Sequence, residues 1–423
     1  MALITFIAFA GFLLAGVPIA FSMASAAVLG IYFASPLPLT LVLQRLFVSV
    51  DSFSLMAIPL FMLAGELMTA GGISIRLVRF AQAAVGHLRG GLGQVSILTS
   101  VIFAGVSGSA AADTAAVGSI TLPAMSRENY PRGLAATLQA MAGSLGPIIP
   151  PSLTMIIFAS LTGVSVSKLF IAGIVPGLLI AVGLMALTWH YGRVYDLRVD
   201  RKATWREFMI AGRGAFWALI MPFFIVGGII GGIVTATEAG AIAVAYALFV
   251  GAFVYRELSF SMFVEVLVRS AALTAMAMLV IAGASVLNWI VAYEQIPATI
   301  VGFLTGITES PSLILCLLVV FLMLLGMFVE TISATILVAP ILMPVAAQYG
   351  IDPTHFALVM VMTLVYAGVT PPVGGILFIT MAIARTSLGS LFRFLPAYLG
   401  VMLFVLLLVV FVPDVALFLT TFF

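Results

Sequence analysis

Two blocks of this chain carry residue types whose spacing could do chemistry. The first holds SGSAAADTAAVGS at 107–119, followed by GPIIPPS at 146–152. The second holds FVETISA at 328–334, followed by AGVTPPVGG at 367–375. Each proline removes a backbone N–H and disturbs the helix before it. In an apolar chain the freed carbonyls cannot face lipid, where every unsatisfied group costs several kcal/mol. They must be buried in protein or line a cavity. Carbonyls at a helix end are good ligands for a hard cation such as Na⁺. An isolated Pro-Pro pair reads as a plain packed kink, so the argument rests on the pairing of the blocks.

That pairing has a fixed register. Pro344 minus Pro123, Pro371 minus Pro150 and Gly326 minus Gly105 all give 221. Broken segments at matching positions in two halves are the best sequence pointer to a transporter binding site. Each block also carries a carboxylate, Asp113 and Glu330. On insertion scales such a group costs about 2.5–3.5 kcal/mol near the bilayer centre. A helix N-terminus, an ion or a watery cavity must compensate. Glu330 is the register mate of Ser109, so the two carboxylates are not strict repeat mates.

The elements that must position these groups follow from composition. Of 423 residues, 63% are hydrophobic and 8% charged, against about 45–50% and 25% in soluble domains. No soluble surface can be covered with so few charges. The sequence is that of an all-α polytopic membrane protein, with room for roughly eleven to fourteen segments at about 20 residues each. This excludes a soluble enzyme, a nucleic-acid binder and a disordered chain. Residues 2–33 and 52–70 read as spanning helices, the first retained and not a cleaved signal. The Pro-rich stretch between them reads as an interfacial arm. Arg76, Arg79 and Arg89 among apolar residues at 74–90 read as an amphipathic surface helix. The segment 193–213 holds Arg193, Arg198, Arg201, Lys202, Arg206 and Arg213 and reads as a cytoplasmic loop. It divides the chain into a first repeat (1–192), a basic linker (193–213) and a second repeat (214–423). Repeats with an odd number of crossings are inverted. Placing Arg45, Arg256 and the linker in the cytoplasm puts both termini outside.

Other polar residues read as structural. Thr235 and Glu238 form a possible capping box, Asp51 with Ser52 reads as an N-cap, and Glu66 as bonded to a neighbouring loop. His87, His190 and His355 read as interfacial or loop residues, and the single Cys316 as packing. There is no GxxxxGK[ST] phosphate loop, no HExxH and no Cys/His metal spacing. Energy for transport would come from an ion gradient or a partner, and an intramembrane enzyme has no catalytic pair to support it.

With these motifs quoted, the sequence resembles the large membrane subunit of tripartite ATP-independent periplasmic (TRAP) transporters, the DctM-like permease family. The resemblance runs over essentially the whole chain, including the Pro-rich arm, PLFMLAGELM and the basic loop. It implies two inverted repeats of the ion-transporter superfamily, each with a re-entrant hairpin and a broken helix, working as an elevator. It implies two Na⁺ sites, a small four-helix membrane subunit on a separate chain, and a periplasmic substrate-binding protein. The cargo would be a small organic acid anion, and the location a bacterial inner membrane with periplasmic termini. Carried onto this sequence, one Na⁺ site would use Gly105, Ser107, Gly146, Ile149 and Pro150. The other would use Gly326, Ala367, Thr370 and Val373, with Ala367 offering a carbonyl only. Substrate would lie near Ser109, Asp113, Pro151, Ser152, Glu330 and Thr331. The alternative is a stand-alone Na⁺- or H⁺-coupled anion symporter of the same superfamily.

Overall fold

The computed structural model describes residues 1–422, and among these every regular element is helical. The chain opens with α1 (Ala2–Leu14) and α2 (Ile19–Ala34). They form an antiparallel pair: Gly30 lies against Thr5, where a Cβ would fall on the threonine hydroxyl. Residues 2–33 are therefore two short helices and not one span. Gly16 adopts φ +79° and Pro18 caps α2, so the chain reverses where a left-handed glycine and a missing N–H end the helix. The Pro-rich arm ends in α3 (Thr40–Val50), which exposes Leu43, Phe47 and Val48. Asp51 ends α3 instead of capping the next helix. Then come α4 (Ala57–Ala70) and the amphipathic α5 (Ile73–Val85).

The first block is built by α6 (Gly91–Ser107) and α7 (Ala110–Arg127), a hairpin, followed by α8 (Arg132–Gly143) and α9 (Leu153–Thr162), a helix broken in the middle. The long α10 (Val166–Val194) closes the half. Helix α10 runs to Val194 and α11 (Trp205–Ile230) begins at Trp205, so the helix-free part of the linker is 195–204. Next are α12 (Ala236–Phe249), α13 (Phe260–Tyr293) and α14 (Ile296–Thr305). The second block repeats the first: hairpin α15 (Pro311–Gly326) and α16 (Thr331–Gln348), then broken helix α17 (Pro353–Ala367) and α18 (Gly375–Ala384). Both ends of α7 and α16 differ by 221 residues, as do the starts of α8 and α17. The chain finishes with α19 (Leu388–Leu391), α20 (Leu395–Phe411) and α21 (Asp414–Leu417), the last turned 92° from α20.

Among the described residues six helices are long and apolar enough to cross a membrane, seven if that bent pair counts as one. The eleven to fourteen segments that the length allows exceed this because many helices are shorter, among them the hairpin arms α6 and α15 and the halves α9, α17 and α18.

The two hairpins enter from opposite ends. The base of α6–α7 lies against the C-terminal end of α10, where a Cβ on Gly192 would meet the Gly90 nitrogen. Phe394, just before α20, packs on Tyr191 and Tyr195 at that same end. The far end of α20 holds the start of α17, because Val409 O lies 2.8 Å from His355 Nε2. His355 is thus buried in the first turn of α17 and not in a loop. The second hairpin's base is therefore at the end opposite the first. The N-terminal amine also sits there, 3.6 Å from Glu294 at the end of α13. Arg45 stacks over Trp289 near that same end of α13, 5.6 Å from the ring centroid. It therefore lies opposite the basic linker and not beside it. Arg256, by contrast, precedes α13 at the linker side, where Glu257 pairs with Arg76 of α5 at 2.7 Å. The outer halves of the broken helices cross-pack: α9 lies on α16, and α18 lies on α7.

Candidate functional site

At the first tip Gly108 turns the chain with φ +60°, and a Cβ there would sit 2.6 Å from Pro151 O. Leu153 N–H donates to Gly108 O at 3.3 Å, pinning the tip to the break. Gly146 is as tight, since a Cβ would lie 2.9 Å from the Ser109 carbonyl carbon. Ser109 caps α7 and Ser152 caps α9, each through its hydroxyl. At the second tip Glu330 caps α16, accepting from the N–H groups of Ile332 and Ser333 at 3.0 and 3.1 Å. Thr331 Oγ1 donates to Leu364 O at 3.4 Å, tying this hairpin to α17. Both Pro-Pro peptide bonds, 150–151 and 371–372, are cis.

The breaks leave carbonyls unused. Among the described residues no hydrogen bond reaches the carbonyls of Gly146, Ile149, Pro150, Thr370 or Val373. The carbonyls of Gly105, Ser107 and Gly326, at the ends of α6 and α15, are also free. Ala367 O accepts from Thr370 N–H at 3.0 Å and keeps one lone pair. Such groups need partners when buried. The repeat mates do not share neighbours, however. A Cβ on Gly326 would meet Ala367 Cβ at 2.6 Å, inside its own repeat. One on Gly105 would meet Pro222 Cβ at 2.9 Å, on α11.

Between the tips lies a cavity of about 380 Å³. It is walled by Gly108, Ser109, Ala110 and Ala111 of the first hairpin, and by Pro147 and Thr154 of the first broken helix. From the second repeat come residues 326–332, Gly368, Val373, Gly375, Ile376 and Ile379. Of the residues expected at the substrate, Ser109, Glu330 and Thr331 line it. Asp113, Pro151 and Ser152 do not. Asp113 is one turn up α7 and fully buried, with the Ser100 hydroxyl of α6 beside it and no hydrogen bond to either carboxylate oxygen. Ser152 is turned inward, its hydroxyl donating to Pro147 O at 2.6 Å, and Pro151 is buried beneath Gly108. Pro147, Thr154, Gly368, Gly375, Ile376 and Ile379 were missed. Pro147 and Gly368 lie inside the quoted motifs, whereas nothing in the sequence marks Ile376 or Ile379.

No lysine or arginine lines the cavity. The starts of α7, α16 and α18 do, and helix N-termini favour negative charge. The N–H groups of Ala110 and Ala111 have no partner among the described residues, whereas in α16 Glu330 takes the N–H of Ile332, the register mate of Ala111, and that of Ser333.

Elsewhere polar groups are structural. Thr235 and Glu238 form the expected capping box. Glu66 pairs with Arg269 at 3.4 Å, a helix residue instead of a loop. Cys316 is half-buried and packs on the core.

Inverted repeats, paired re-entrant hairpins and a cavity between their tips define an all-α membrane transporter. Solved structures share the fold. The YdaH transporter of Alcanivorax borkumensis superposes with TM-score 0.61 at 15% identity, over 89% of each chain. MtrF of Neisseria gonorrhoeae superposes with TM-score 0.62 at 14% identity, over 93% of this chain and 94% of that one. Residues 6–415 match the family profile of the tripartite ATP-independent periplasmic transporter, DctM component. The chain belongs to that family: it is the large permease subunit of a TRAP transporter, a multi-pass protein of the bacterial inner membrane. The C4-dicarboxylate large permease DctM of Pseudomonas aeruginosa is 40% identical over 373 residues, 88% of this chain and 87% of that protein. The 2,3-diketo-L-gulonate large permease YiaN of Escherichia coli is 37% identical over 399 residues, 94% of each. The isethionate permease DctMQ of Oleidesulfovibrio alaskensis is 40% identical over 411 residues, 97% of this chain, which spans 65% of that longer protein.

Proposed function

We infer that this subunit imports a small organic acid anion together with Na⁺, by an elevator motion of the hairpins and broken helices against the remaining helices. One observation carries the reading: each repeat leaves carbonyls free at its hairpin tip and at its helix break, and residues of both repeats wall a single cavity. Neutral oxygen donors suit Na⁺, which needs no titratable ligand. The first Na⁺ would be held by Gly105, Ser107, Gly146, Ile149 and Pro150, and the second by Gly326, Ala367, Thr370 and Val373. The anion would lie in the cavity against Ser109, Thr331 and the free N–H groups at the start of α7. A neighbouring cation offsets the charge of Glu330, which otherwise opposes an anion. A cavity of about 380 Å³ fits the size of the cargo that the relatives' names print, a C4-dicarboxylate or 2,3-diketo-L-gulonate.

The two repeats would be 1–192 and 214–423, joined by the basic linker. Basic loops favour the cytoplasm, which puts the linker inside and both termini in the periplasm. A small membrane subunit and a periplasmic binding protein complete the system.

The test is uptake into proteoliposomes holding this chain and its small subunit, with the binding protein outside. An inward Na⁺ gradient, an inward proton gradient and no gradient are compared, each with and without the binding protein. Uptake that requires both Na⁺ and the binding protein supports the reading. Uptake driven by protons alone overturns the coupling ion, and uptake indifferent to the binding protein overturns the tripartite mechanism.

A further inference from the structure

We propose that a second cavity, remote from the hairpin tips, binds the phosphate group of an anionic membrane lipid. It lies at the linker end of the molecule, between the first hairpin and α18 of the other repeat, with a volume of about 400 Å³. Arg127, Arg132 and Arg385 line it together with Ser126 and the buried Tyr130. No carboxylate lines it, and none among the described residues pairs with any of the three arginines. The nearest acid in sequence, Glu128, faces Asp200 and Arg198 of the linker instead.

The competing explanation is that these arginines only complement helix ends. It accounts for two of them: Arg127 is in the last turn of α7, and Arg385 ends α18, where cations are favoured. For Arg132, the first residue of α8, a cation at its own helix start is disfavoured, and the end of α18 uses only one of its N–H donors. That bond runs from Nη1 to Arg385 O at 3.3 Å and leaves the other donors free. Arg385 itself holds φ +50°, an uncommon backbone for a side-chain-bearing residue. Three exposed arginines around one cavity, beside a helix start, carry a charge that an oxyanion would balance. Phosphate suits it because the arginine fork matches phosphate oxygens in pairs. A lipid source suits it because the remaining wall is apolar (Leu122, Pro123, Ile383, Ala384). Basic pockets between helices near the cytoplasmic face are known headgroup sites. The site is independent of the coupling ion and of the transported anion.

The experiment uses the complex of this chain with its small subunit. It is placed in nanodiscs of phosphatidylcholine with or without phosphatidylglycerol, and in detergent with or without millimolar inorganic phosphate. Retained lipid is counted by native mass spectrometry and unfolding is followed thermally. Phosphatidylglycerol should be retained and should raise the unfolding midpoint. The triple variant Arg127→Gln, Arg132→Gln, Arg385→Gln should weaken its retention at least tenfold, while triple Arg→Lys retains part of it and Arg213→Gln, outside the cavity, changes nothing. If the triple Gln variant does not fold, Arg132→Gln against Arg132→Lys carries the comparison. Competition by inorganic phosphate supports a headgroup-reading site. Protection by phosphate equal to that by the lipid keeps the oxyanion site but assigns it to a soluble source, overturning the lipid assignment. Equal retention in wild type and Gln variants, or no effect of either anion on wild type, overturns the site.

Discussion

Replacing Gly326 by alanine puts a fixed Cβ 2.6 Å from the Cβ of Ala367. Neither atom can rotate away, since both hang directly from backbone. Ordinary contact begins near 3.4 Å, so α15 and α17 must part by roughly 0.8 Å, the difference between those two values. Overpacking of this kind costs about 1–3 kcal/mol. At 1.4 kcal/mol per decade that is about 5- to 150-fold in an equilibrium constant. The carbonyls of Gly326 and Ala367 belong to the proposed second Na⁺ site, so the cost should fall on the Na⁺-bound form. Half-saturating Na⁺ for uptake in proteoliposomes should rise by that factor, with the complex still monodisperse on gel filtration. Ala367→Gly on the same background deletes the opposing atom. It should bring half-saturation back to within about fivefold of wild type, the shortfall reflecting about 1 kcal/mol for glycine in a helix. Leu364 Cδ2, at 3.2 Å, is a flexible tip that can give way. Unchanged half-saturation in Gly326→Ala refutes the placement of the site, and no recovery in the double variant refutes the clash as its cause.

Gly105→Ala, the register mate, meets Pro222 of α11 at 2.9 Å. Overpacking of about 1–3 kcal/mol there should slow turnover, if α11 stays fixed while the hairpins move as proposed, and should also raise half-saturating Na⁺, because Gly105 belongs to the proposed first Na⁺ site; initial rates across a Na⁺ series separate the two effects, and no change in either refutes the placement. Glu330→Gln keeps an oxygen for the N–H groups of Ile332 and Ser333, so uptake should persist. Glu330→Ala should lose about 1–2 kcal/mol of cap, seen as uptake reduced at least fivefold; equal loss in both variants would show that the charge itself is required. The Glu207 carboxyl is held below the usual carboxylate range, first by the Thr204 N–H, then by its hydroxyl and by Arg201. A depressed acid stabilises above its unfolded pKa, about 4.3, and that stability is lost as pH falls through the lower folded value. Thr204→Ala removes the hydroxyl but keeps the N–H, so it should flatten the acid limb of thermal unfolding, measured from pH 5 downward, only in part, and Glu207→Gln should flatten it further.

The repeat register was legible because proline and glycine leave unambiguous marks in an apolar background. The pairs Pro123 and Pro344, Pro150 and Pro371, and Gly105 and Gly326 located both hairpins and both breaks. Capping residues were half legible: Thr235 with Glu238 announced its box, whereas Ser109 and Glu330 cap equivalent helices with unlike side chains. What escaped is set by direction and by distant neighbours. Asp113 carried the strongest chemical signal in its block, yet it points toward α6 while plain Ala110 and Ala111 face the cavity. Arg45 looked like an inside charge by the count of basic residues, but Trp289, far along the chain, holds it at the other end. The reversal between α1 and α2 hung on Gly16 and Pro18, which also fit a mild kink in one long helix. That reversal is local; the other deciding contacts are made far along the chain or depend on the rotation of a helix about its axis.

The cross-packing of α9 on α16 and of α18 on α7 has a consequence for synthesis. Each half of the chain completes the other's walls, so neither is a finished unit. When the first half leaves the ribosome, its broken helix and hairpin have polar backbone and no final neighbour, and they stay so until α16 and then α18 emerge, α18 starting 181 residues after α10 ends (375 − 194). During that interval the nascent chain is exposed to misassembly, as long-range pairings generally are. Expressing the halves as separate polypeptides should therefore yield little of either alone, and their co-expression should rescue both.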